Sequence, residues 1–434
     1  MKNFFLSILK KKVKFLARLT LKRYNPGIIG ITGNIGKTSA KEAIGVVLSQ
    51  TRRVRASSKS FNNELGLPLS ILGDWGTTEG IFFWIKVFLK SIYQLVIKNK
   101  KYPEIIALEY GVDRMGDMKY LLEIARPHIG VFTAMGDEMP VHIEFFSGIE
   151  AIVKEKSRLI QQLPTTGFAI LNADDERVMS TREYTHANVI TFGFSDKANV
   201  HISAFSSYVS EDGGGITFKL TYGGSVVPIR IEGGLGRAPA YAAAIGAIAG
   251  LVFGMNLVKI AEALSNYVSP NGRQRIIRGV RHSIIIDDTY NASPSATKEG
   301  LATLKSLNAK RKIAVLGDML ELGKYTFDEH QAIGRLIPES ADLLFTVGIR
   351  AKIIAETAEK VGFSKKKIFV FTNIHEAAMQ LQQKVLRGDL ILVKGSQGVR
   401  MERIVKEIMA EPLQAKKSLV RQNRSWLRRP GLYD

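Results

Sequence analysis

The segment that most constrains this chain is a glycine-rich stretch, Gly30-Ile31-Thr32-Gly33-Asn34-Ile35-Gly36-Lys37-Thr38-Ser39. It follows an apolar run at Ile28 and Ile29 and precedes a helical pattern from Ala40 to Leu48. A strand, a glycine-rich turn and a helix in this order are the context of a phosphate-binding loop, whose backbone N–H groups and helix N-terminus bind phosphate oxygens. The strict G-x-x-x-x-G-K-[ST] pattern has glycine where this chain has Ile31. The strand-to-helix context argues against the ordinary alternative, a helix-initiating loop with a chance lysine.

This phosphate loop (residues 30–39) supplies the first candidate site residues. Lys37 is predicted to reach the terminal phosphates of a nucleotide, and the Thr38 hydroxyl is predicted to ligate Mg²⁺. The predicted nucleotide-binding residues of the loop are Gly33, Asn34, Gly36, Lys37, Thr38 and Ser39.

Composition limits the classes of protein that remain. The 434 residues suffice for two or three domains, and the lack of cysteine excludes disulfides, thiolate metal sites and a cysteine nucleophile. It also fits a cytoplasmic protein. The net charge of +21 indicates an anionic partner such as a nucleotide, a nucleic acid or an acidic membrane surface. We find no basic patch interleaved with aromatic residues, so nucleic acid is the least favoured of these partners.

The two ends of the chain are basic. Residues 2–23 and 415–429 contain Lys and Arg but no acidic residue. The N-terminal stretch alternates its basic residues with apolar ones and is too interrupted to span a bilayer. It therefore predicts either a helix on the inner face of an anionic membrane or a helix docked on the protein with a solvated basic face. A second apolar stretch, residues 81–97, predicts a buried or surface-inserted helix.

Short apolar runs alternate with helical patterns along most of the chain, which predicts an α/β fold with mostly parallel sheets. We expect a basic amphipathic segment (residues 1–25), a central P-loop ATPase-like domain (26–268), a C-terminal Rossmann-like, doubly wound domain (269–411) and a basic tail (412–434). Residues 190–232 differ, because their alternating runs predict a small antiparallel segment inside the central domain.

Polar residues at predicted strand ends are further candidates, because ligands of open α/β sheets bind there. Glu109 follows the apolar run 105–108 and could ligate Mg²⁺. Asp288 follows another apolar run, where it could bind a ribose or a cation or simply belong to a turn. His142 and Lys156 are weaker candidates when judged by the sequence alone, since a charged helix such as that around Lys156 is usually solvated.

Seven collinear segments of the chain resemble the Mur ligases, the ATP-dependent family that builds the peptidoglycan peptide. The similarity covers roughly residues 26–411 and includes Thr32–Ser39, Asn62–Pro68, Leu108–Gly111, Asn172–Asp175, Asp287–Pro294, Leu316–Gly323 and Val393–Ser396. The last three segments are most similar to those of the family members that add D-alanyl-D-alanine.

The resemblance implies a function and a set of site residues. It implies an ATP-dependent ligase that joins a peptidoglycan-precursor carboxylate, as in a UDP-N-acetylmuramoyl-peptide, to D-alanyl-D-alanine or a similar amine through an acyl phosphate. It also implies that Glu109 and His142 bind Mg²⁺, that Lys156 is carbamylated near the metal, and that Arg273 and Asp288 reach ATP. The implied catalytic residues are Lys37, His142 and Lys156, and the implied metal ligands are Thr38, Glu109, His142 and Lys156.

Two departures from the family pattern leave other functions open. Only about 26 residues precede the phosphate loop, too few for the family's N-terminal UDP-binding domain, so the acceptor could be lipid-linked, with the basic termini contacting a membrane. Ala238, Pro239 and Ala242 stand where the family has histidine and asparagine at the nucleotide. This second departure keeps open a nucleotide-binding scaffold without ligase turnover.

Overall fold

The computed structural model describes residues 2–57, 61–75, 80–136, 140, 143–211 and 213–434, and their strands form two sheets flanked by helices. Nine strands make the first sheet: β1 (Gly27–Thr32), β2 (Val54–Ala56), β3 (Ile105–Glu109), β4 (Ile129–Phe132), β5 (Phe168–Asn172), β6 (Asn188–Gly193), β7 (Val200–Ser210), β8 (Gly213–Tyr222) and β9 (Ser225–Glu232). Their order is β2-β3-β1-β4-β5-β6-β7-β8-β9, parallel from β2 to β7 and antiparallel from β7 to β9. The predicted small antiparallel segment is therefore the far edge of this sheet.

Nine helices accompany these strands in the described chain. They are α1 (Lys2–Tyr24), α2 (Lys37–Leu48), α3 (Gly66–Leu72), α4 (Ile81–Val96), α5 (Asp117–Ile124), α6 (Ile149–Gln161), α7 (Glu176–Met179), α8 (Ala238–Val252) and α9 (Leu257–Leu264). Helices α2, α8 and α9 pack on one face of the sheet, and α1, α3, α5 and α6 pack on the other. The sheet is thus covered on both faces, which explains why β1 and β3 read as continuous apolar runs rather than alternating ones.

The second sheet is the doubly wound unit that the sequence predicts. Its strands are β10 (Arg275–Arg278), β11 (Ile284–Asp288), β12 (Arg311–Gly317), β13 (Leu343–Val347), β14 (Ile368–Phe371) and β15 (Asp389–Lys394). They lie in the order β10-β11-β15-β12-β13-β14, with only the β10–β11 pair antiparallel. The helices are α10 (Pro294–Ser306), α11 (Thr326–Ser340), α12 (Ala351–Lys360), α13 (Ile374–Lys384), α14 (Glu402–Ile408), α15 (Ala415–Ser418) and α16 (Arg424–Leu427). Helices α10, α11 and α12 cover one face, and α13 and α14 cover the other. The predicted fold class is confirmed, whereas the exact domain boundaries stay predictions.

The two terminal segments pack on the protein. Helix α1 buries Val13, Ala17 and Thr20 against the first sheet's helices and leaves most of its basic residues outward. The last twenty residues fold along the second sheet, where the Tyr433 hydroxyl donates to Asp318 Oδ2 at 2.5 Å. Within the described parts of the chain, every helix is too short or too polar to cross a bilayer.

Candidate active site

The phosphate loop is shaped by the end of the neighbouring strand β4. Gly33 has a φ of +135°, and a Cβ there would lie 2.1 Å from Thr133 Oγ1, so this position requires glycine. The Thr133 hydroxyl contacts Ile35 O at 2.5 Å, and Asn34 N donates to Ala134 O at 2.6 Å. Gly36, with a φ of +87°, ends the loop, and α2 begins at Lys37, three residues before the predicted start.

Two lysines meet at one carbonyl of this loop. Lys37 Nζ donates to Gly33 O at 2.7 Å and to Asn34 O at 3.3 Å. Lys156 Nζ, from α6, donates to the same Gly33 O at 3.3 Å. Lys156 is 4% exposed, so the solvated helix face that the sequence alone favoured is not what the fold provides.

Burial changes the acid–base chemistry of both lysines. Burial, and then the positive charge of Lys37, lowers the pKa of Lys156 to about 7. Burial, partly offset by the Glu109 carboxylate, lowers the pKa of Lys37 to about 8. At neutral pH, Lys156 is therefore a neutral, nucleophilic amine in a large fraction of the molecules.

The Glu109 carboxylate lies at the end of β3, beside α2, and is 3% exposed. Its Oε1 atom lies 2.8 Å from Lys41 Nζ, and its Oε2 atom accepts from the Thr38 hydroxyl at 3.4 Å. Arg273 reaches this point from beyond the first sheet, because its Nη2 donates to Thr38 Oγ1 at 3.1 Å. The Arg273 guanidinium also lies 4.2 Å from the centre of the Tyr290 ring. One carboxylate is thus surrounded by several cations, an arrangement that suits a polyanionic ligand.

Asp288 belongs to a neighbouring group on the second sheet. Its Oδ2 accepts from Lys394 Nζ at 2.7 Å, and both side chains are largely buried. Lys394 Nζ also donates to Asn291 O at 3.1 Å. The loop that follows Asp288 is joined to the Arg273 segment, since Tyr290 N donates to Gly272 O at 3.0 Å. Arg273 and Asp288 therefore lie on one connected pair of loops.

The structure brings together five of the predicted site residues: Lys37, Thr38, Glu109, Lys156 and Arg273. Asn34 lines the same loop, and Ser39 is buried in the first turn of α2. His142 lies outside the described residues. Among the residues that the structure does describe, no three histidine, aspartate or glutamate side chains form a metal-binding group.

Sequence reasoning missed two residues of this region. Lys41 pairs with Glu109 and lies four residues after Lys37, a spacing that places both on one face of α2. Arg421, in the basic tail, donates to Thr289 O at 2.9 Å and to Glu402 Oε2 at 3.1 Å, and it contacts Tyr290 O. The tail thus holds the loop that follows Asp288, a contact that no local sequence signal indicates.

The residues that depart from the family pattern lie at the start of α8. Pro239 and Ala242 are buried there, and Pro239 is in the first turn, where the missing N–H is tolerated. The adjacent Tyr241 hydroxyl donates to Asp174 Oδ2 at 2.9 Å, at the end of β5. The segment is therefore well packed without the polar side chains that the family pattern has.

Comparison with known proteins gives matches over most of the chain. Residues 90–247 match the family model of the Mur ligase middle domain, and residues 272–397 match that of the Mur ligase glutamate ligase domain. The UDP-N-acetylmuramoyl-tripeptide–D-alanyl-D-alanine ligase of Bacillus subtilis is 30% identical over 400 residues, covering 92% of this chain and 79% of the relative. The enzyme of the same name from Rickettsia prowazekii is 28% identical over 401 residues, covering 87% of this chain and 77% of the relative.

Solved structures share the fold. The MurF ligase of Thermotoga maritima in complex with ADP matches with a TM-score of 0.74 at 24% identity, covering 94% of this chain and 84% of that chain. MurF from Acinetobacter baumannii matches with a TM-score of 0.74 at 23% identity, covering 91% of this chain and 79% of that chain.

Proposed function

The chain belongs to the Mur ligase family and is an ATP-dependent ligase, and we propose that it joins D-alanyl-D-alanine to a UDP-N-acetylmuramoyl-tripeptide. The substrate carboxylate attacks the γ-phosphorus of ATP, which releases ADP and forms an acyl phosphate. The amine nitrogen of D-alanyl-D-alanine then attacks the acyl carbon, phosphate leaves, and the amine loses a proton. The observation that carries this proposal is the convergence of Lys37, Lys156 and Arg273 on the phosphate loop.

Lys37 and Arg273 are suited to stabilise the transferring phosphoryl group. Both are cationic side chains that are partly buried, and hydrogen bonds to developing negative charge are strongest where water is excluded. Arg273 bonds Thr38 in the phosphate loop and stacks on Tyr290 beside Asp288. Such a link supports a role for the second sheet in closing over ATP and excluding the water that would hydrolyse the acyl phosphate.

The donor set fits a magnesium ion in its chemistry. The Thr38 hydroxyl and the Glu109 carboxylate are hard oxygen donors, and their atoms lie 3.4 Å apart at the end of β3. We propose these two as protein ligands, with His142 and carbamylated Lys156 as further ligands. Mg²⁺, when bound, would neutralise charge on the phosphate oxygens.

Lys156 has the environment that carbamylation requires. The amine must be neutral for its lone pair to attack the carbon of CO₂, and the nitrogen then loses a proton to give the carbamate. With a pKa of about 7, Lys156 is largely neutral at slightly alkaline pH, whereas an ordinary lysine is almost entirely charged. The carbamate would carry a negative charge beside Lys37, which favours its formation.

The test is phosphate release from MgATP in the presence of UDP-N-acetylmuramoyl-tripeptide and D-alanyl-D-alanine, with each omitted in turn. Release that needs both substrates is the expected result. A Lys37→Met variant serves as the control and should lose at least about a hundredfold in rate. Phosphate release that occurs with a lipid-linked acceptor but not with UDP-N-acetylmuramoyl-tripeptide would contradict the UDP-linked assignment.

A second candidate function follows from Ala238, Pro239 and Ala242. A protein that binds ATP without turning it over would fit the absence of polar side chains at these positions. Clear ATP binding by calorimetry, with no substrate-dependent ADP production, would favour this nucleotide-binding scaffold over the ligase.

A further inference from the structure

Helix α4 presents an apolar face to solvent. Phe82 is 83% exposed, Leu89 64% and Val96 72%, although large apolar side chains are normally buried. With Ile85 and Ile92 they recur every three or four residues, so they form one stripe along the helix. The α4 face is defined as Ile81, Phe82, Ile85, Leu89, Ile92, Tyr93 and Val96, all of which are exposed.

The opposite side of α4 packs on the protein, where Trp84 and Phe88 lie partly buried against the core. Its buried residues are Phe83, Val87, Ser91 and Gln94. Gln94 Nε2 donates to Leu72 O at 3.2 Å, and the Ser91 hydroxyl donates to Val87 O at 2.7 Å. The helix is therefore apolar on both sides, whereas an ordinary surface helix is polar on the side that faces solvent. An exposed apolar stripe of this kind marks an interaction surface.

Basic residues border the α4 face. Residues 81–103 contain five lysines and no acidic residue, and residues 2–23 contain eight basic residues and no acidic one. The ends of α1 and α4 are joined, since Arg23 Nη2 donates to Val96 O at 3.2 Å and the Tyr24 hydroxyl donates to Gln94 O at 2.8 Å. The basic C-terminal end of α1, where Lys22 and Arg23 are exposed, therefore lies against the end of α4 that carries Val96.

We propose that the α4 face, with the basic end of α1 and the exposed Lys98 and Lys100 that follow α4, binds an anionic phospholipid surface. A helix of 16 residues is about 24 Å long and lies in the plane of the interface, with its apolar face among the acyl chains. The lysines then face the phosphate groups, which neutralise them. A second copy of the chain fits less well, because it would bring two predominantly basic surfaces together. This binding is independent of the ligase reaction.

The test is vesicle flotation of the full chain with phosphatidylcholine vesicles, with and without an equal part of phosphatidylglycerol. The chain should float with the phosphatidylglycerol vesicles. Phe82→Ser/Leu89→Ser should lower the partition coefficient at least about tenfold, because two large apolar side chains no longer insert. Lys98→Gln/Lys100→Gln, which changes two exposed lysines directly after α4, should lower it roughly tenfold on the anionic vesicles only.

Matched controls lie far from α4 in the chain, with Phe327 on α11 and with Lys366 and Lys367 just before β14. Phe327→Ser changes an exposed phenylalanine, and Lys366→Gln/Lys367→Gln changes two exposed lysines, and both should float like the wild type. Equal flotation of all variants would overturn the proposal. A second outcome would also overturn the proposal: the wild type does not bind vesicles but is a dimer by light scattering, and Phe82→Ser/Leu89→Ser is a monomer. Ligase turnover measured without vesicles should be the same in all variants and the wild type. A wild type without turnover would contradict the ligase proposal and leave the membrane proposal to be decided by flotation.

Discussion

Replacing Lys156 with methionine should stabilise the protein while abolishing its activity. Lys156→Met keeps an unbranched side chain of similar size and removes the amine. Burial lowers the Lys156 pKa from its ordinary value of 10.5 to about 7. Because one pKa unit corresponds to about 1.4 kcal/mol, burying the charged amine costs the folded state about 5 kcal/mol.

The free-energy cost of burying the charged Lys156 falls as the pH rises. Below pH 7 both the folded and the unfolded chain hold the proton, so the whole cost is present. Between about pH 7 and pH 10.5 the unfolded chain binds a proton that the folded chain does not, so wild-type stability rises with pH. At pH 9 about 2 kcal/mol of the cost remains.

The variant loses the bond from Lys156 Nζ to Gly33 O, a charge-assisted hydrogen bond worth about 1–3 kcal/mol. We therefore expect the free energy of unfolding of Lys156→Met to exceed that of the wild type by about 2–4 kcal/mol at pH 6. That difference should shrink by about 3 kcal/mol between pH 6 and pH 9, because the cost of the charged Lys156 falls over this range. The other titrating groups are common to both proteins and do not contribute to the change.

The assay is urea unfolding in CO₂-free buffers, followed by tryptophan fluorescence. Two of the three tryptophans, Trp75 and Trp84, lie in or against the core of the first sheet and report on the site's own sheet. In a second series, bicarbonate at about pH 8 should stabilise the wild type and leave the variant unchanged, because a carbamate forms only on the amine. A stability difference that does not vary with pH would refute the reasoning.

Three further substitutions test the role of Lys156 in ligation and two other contacts of the site. Lys156→Ala should lose ligation, with partial rescue by short carboxylic acids that replace the carbamate, and full activity in the variant alone would exclude that role. Lys41→Met should lower the free energy of unfolding by about 3–5 kcal/mol, because the Glu109 charge stays buried without its nearest cation, and Lys41→Met/Glu109→Gln should recover most of this loss. Arg421→Met should raise the KM for ATP about tenfold by releasing the loop after Asp288, whereas Arg428→Met in the same tail should leave it unchanged.

The sequence predicted the elements that rest on local signals. The strand before the phosphate loop and the strand that ends at Glu109 are apolar runs in the sequence, and the structure contains both. Strands β2, β6 and β10 were not predicted. Strands β2 (residues 54–56) and β10 (residues 275–278) are too short to show the two-residue alternation of a strand. They form because the neighbouring strands β3 and β11 offer backbone groups that need hydrogen-bond partners.

The site was predictable only where it is local in the chain. The phosphate loop carries its own pattern, but Lys156 lies 123 residues from the Gly33 carbonyl that it contacts. Its helix reads as charged and solvated, because periodicity does not reveal which turn of a helix faces a loop from another strand. Arg421 illustrates the same limit, since its contacts with Thr289 and Glu402 depend on how the last twenty residues fold back.

The burial of Lys156 explains why the site retains a destabilising lysine. A solvent-exposed amine would be charged at neutral pH and unreactive toward CO₂, whereas Lys156 is about half neutral at pH 7 because the fold withholds water from it. The nearby positive charge of Lys37 works in the same direction and would then stabilise the carbamate once it forms. Under the proposed carbamylation, the free energy that the fold loses on the uncarbamylated Lys156 is thus the source of its reactivity, and stability and function oppose each other at this residue.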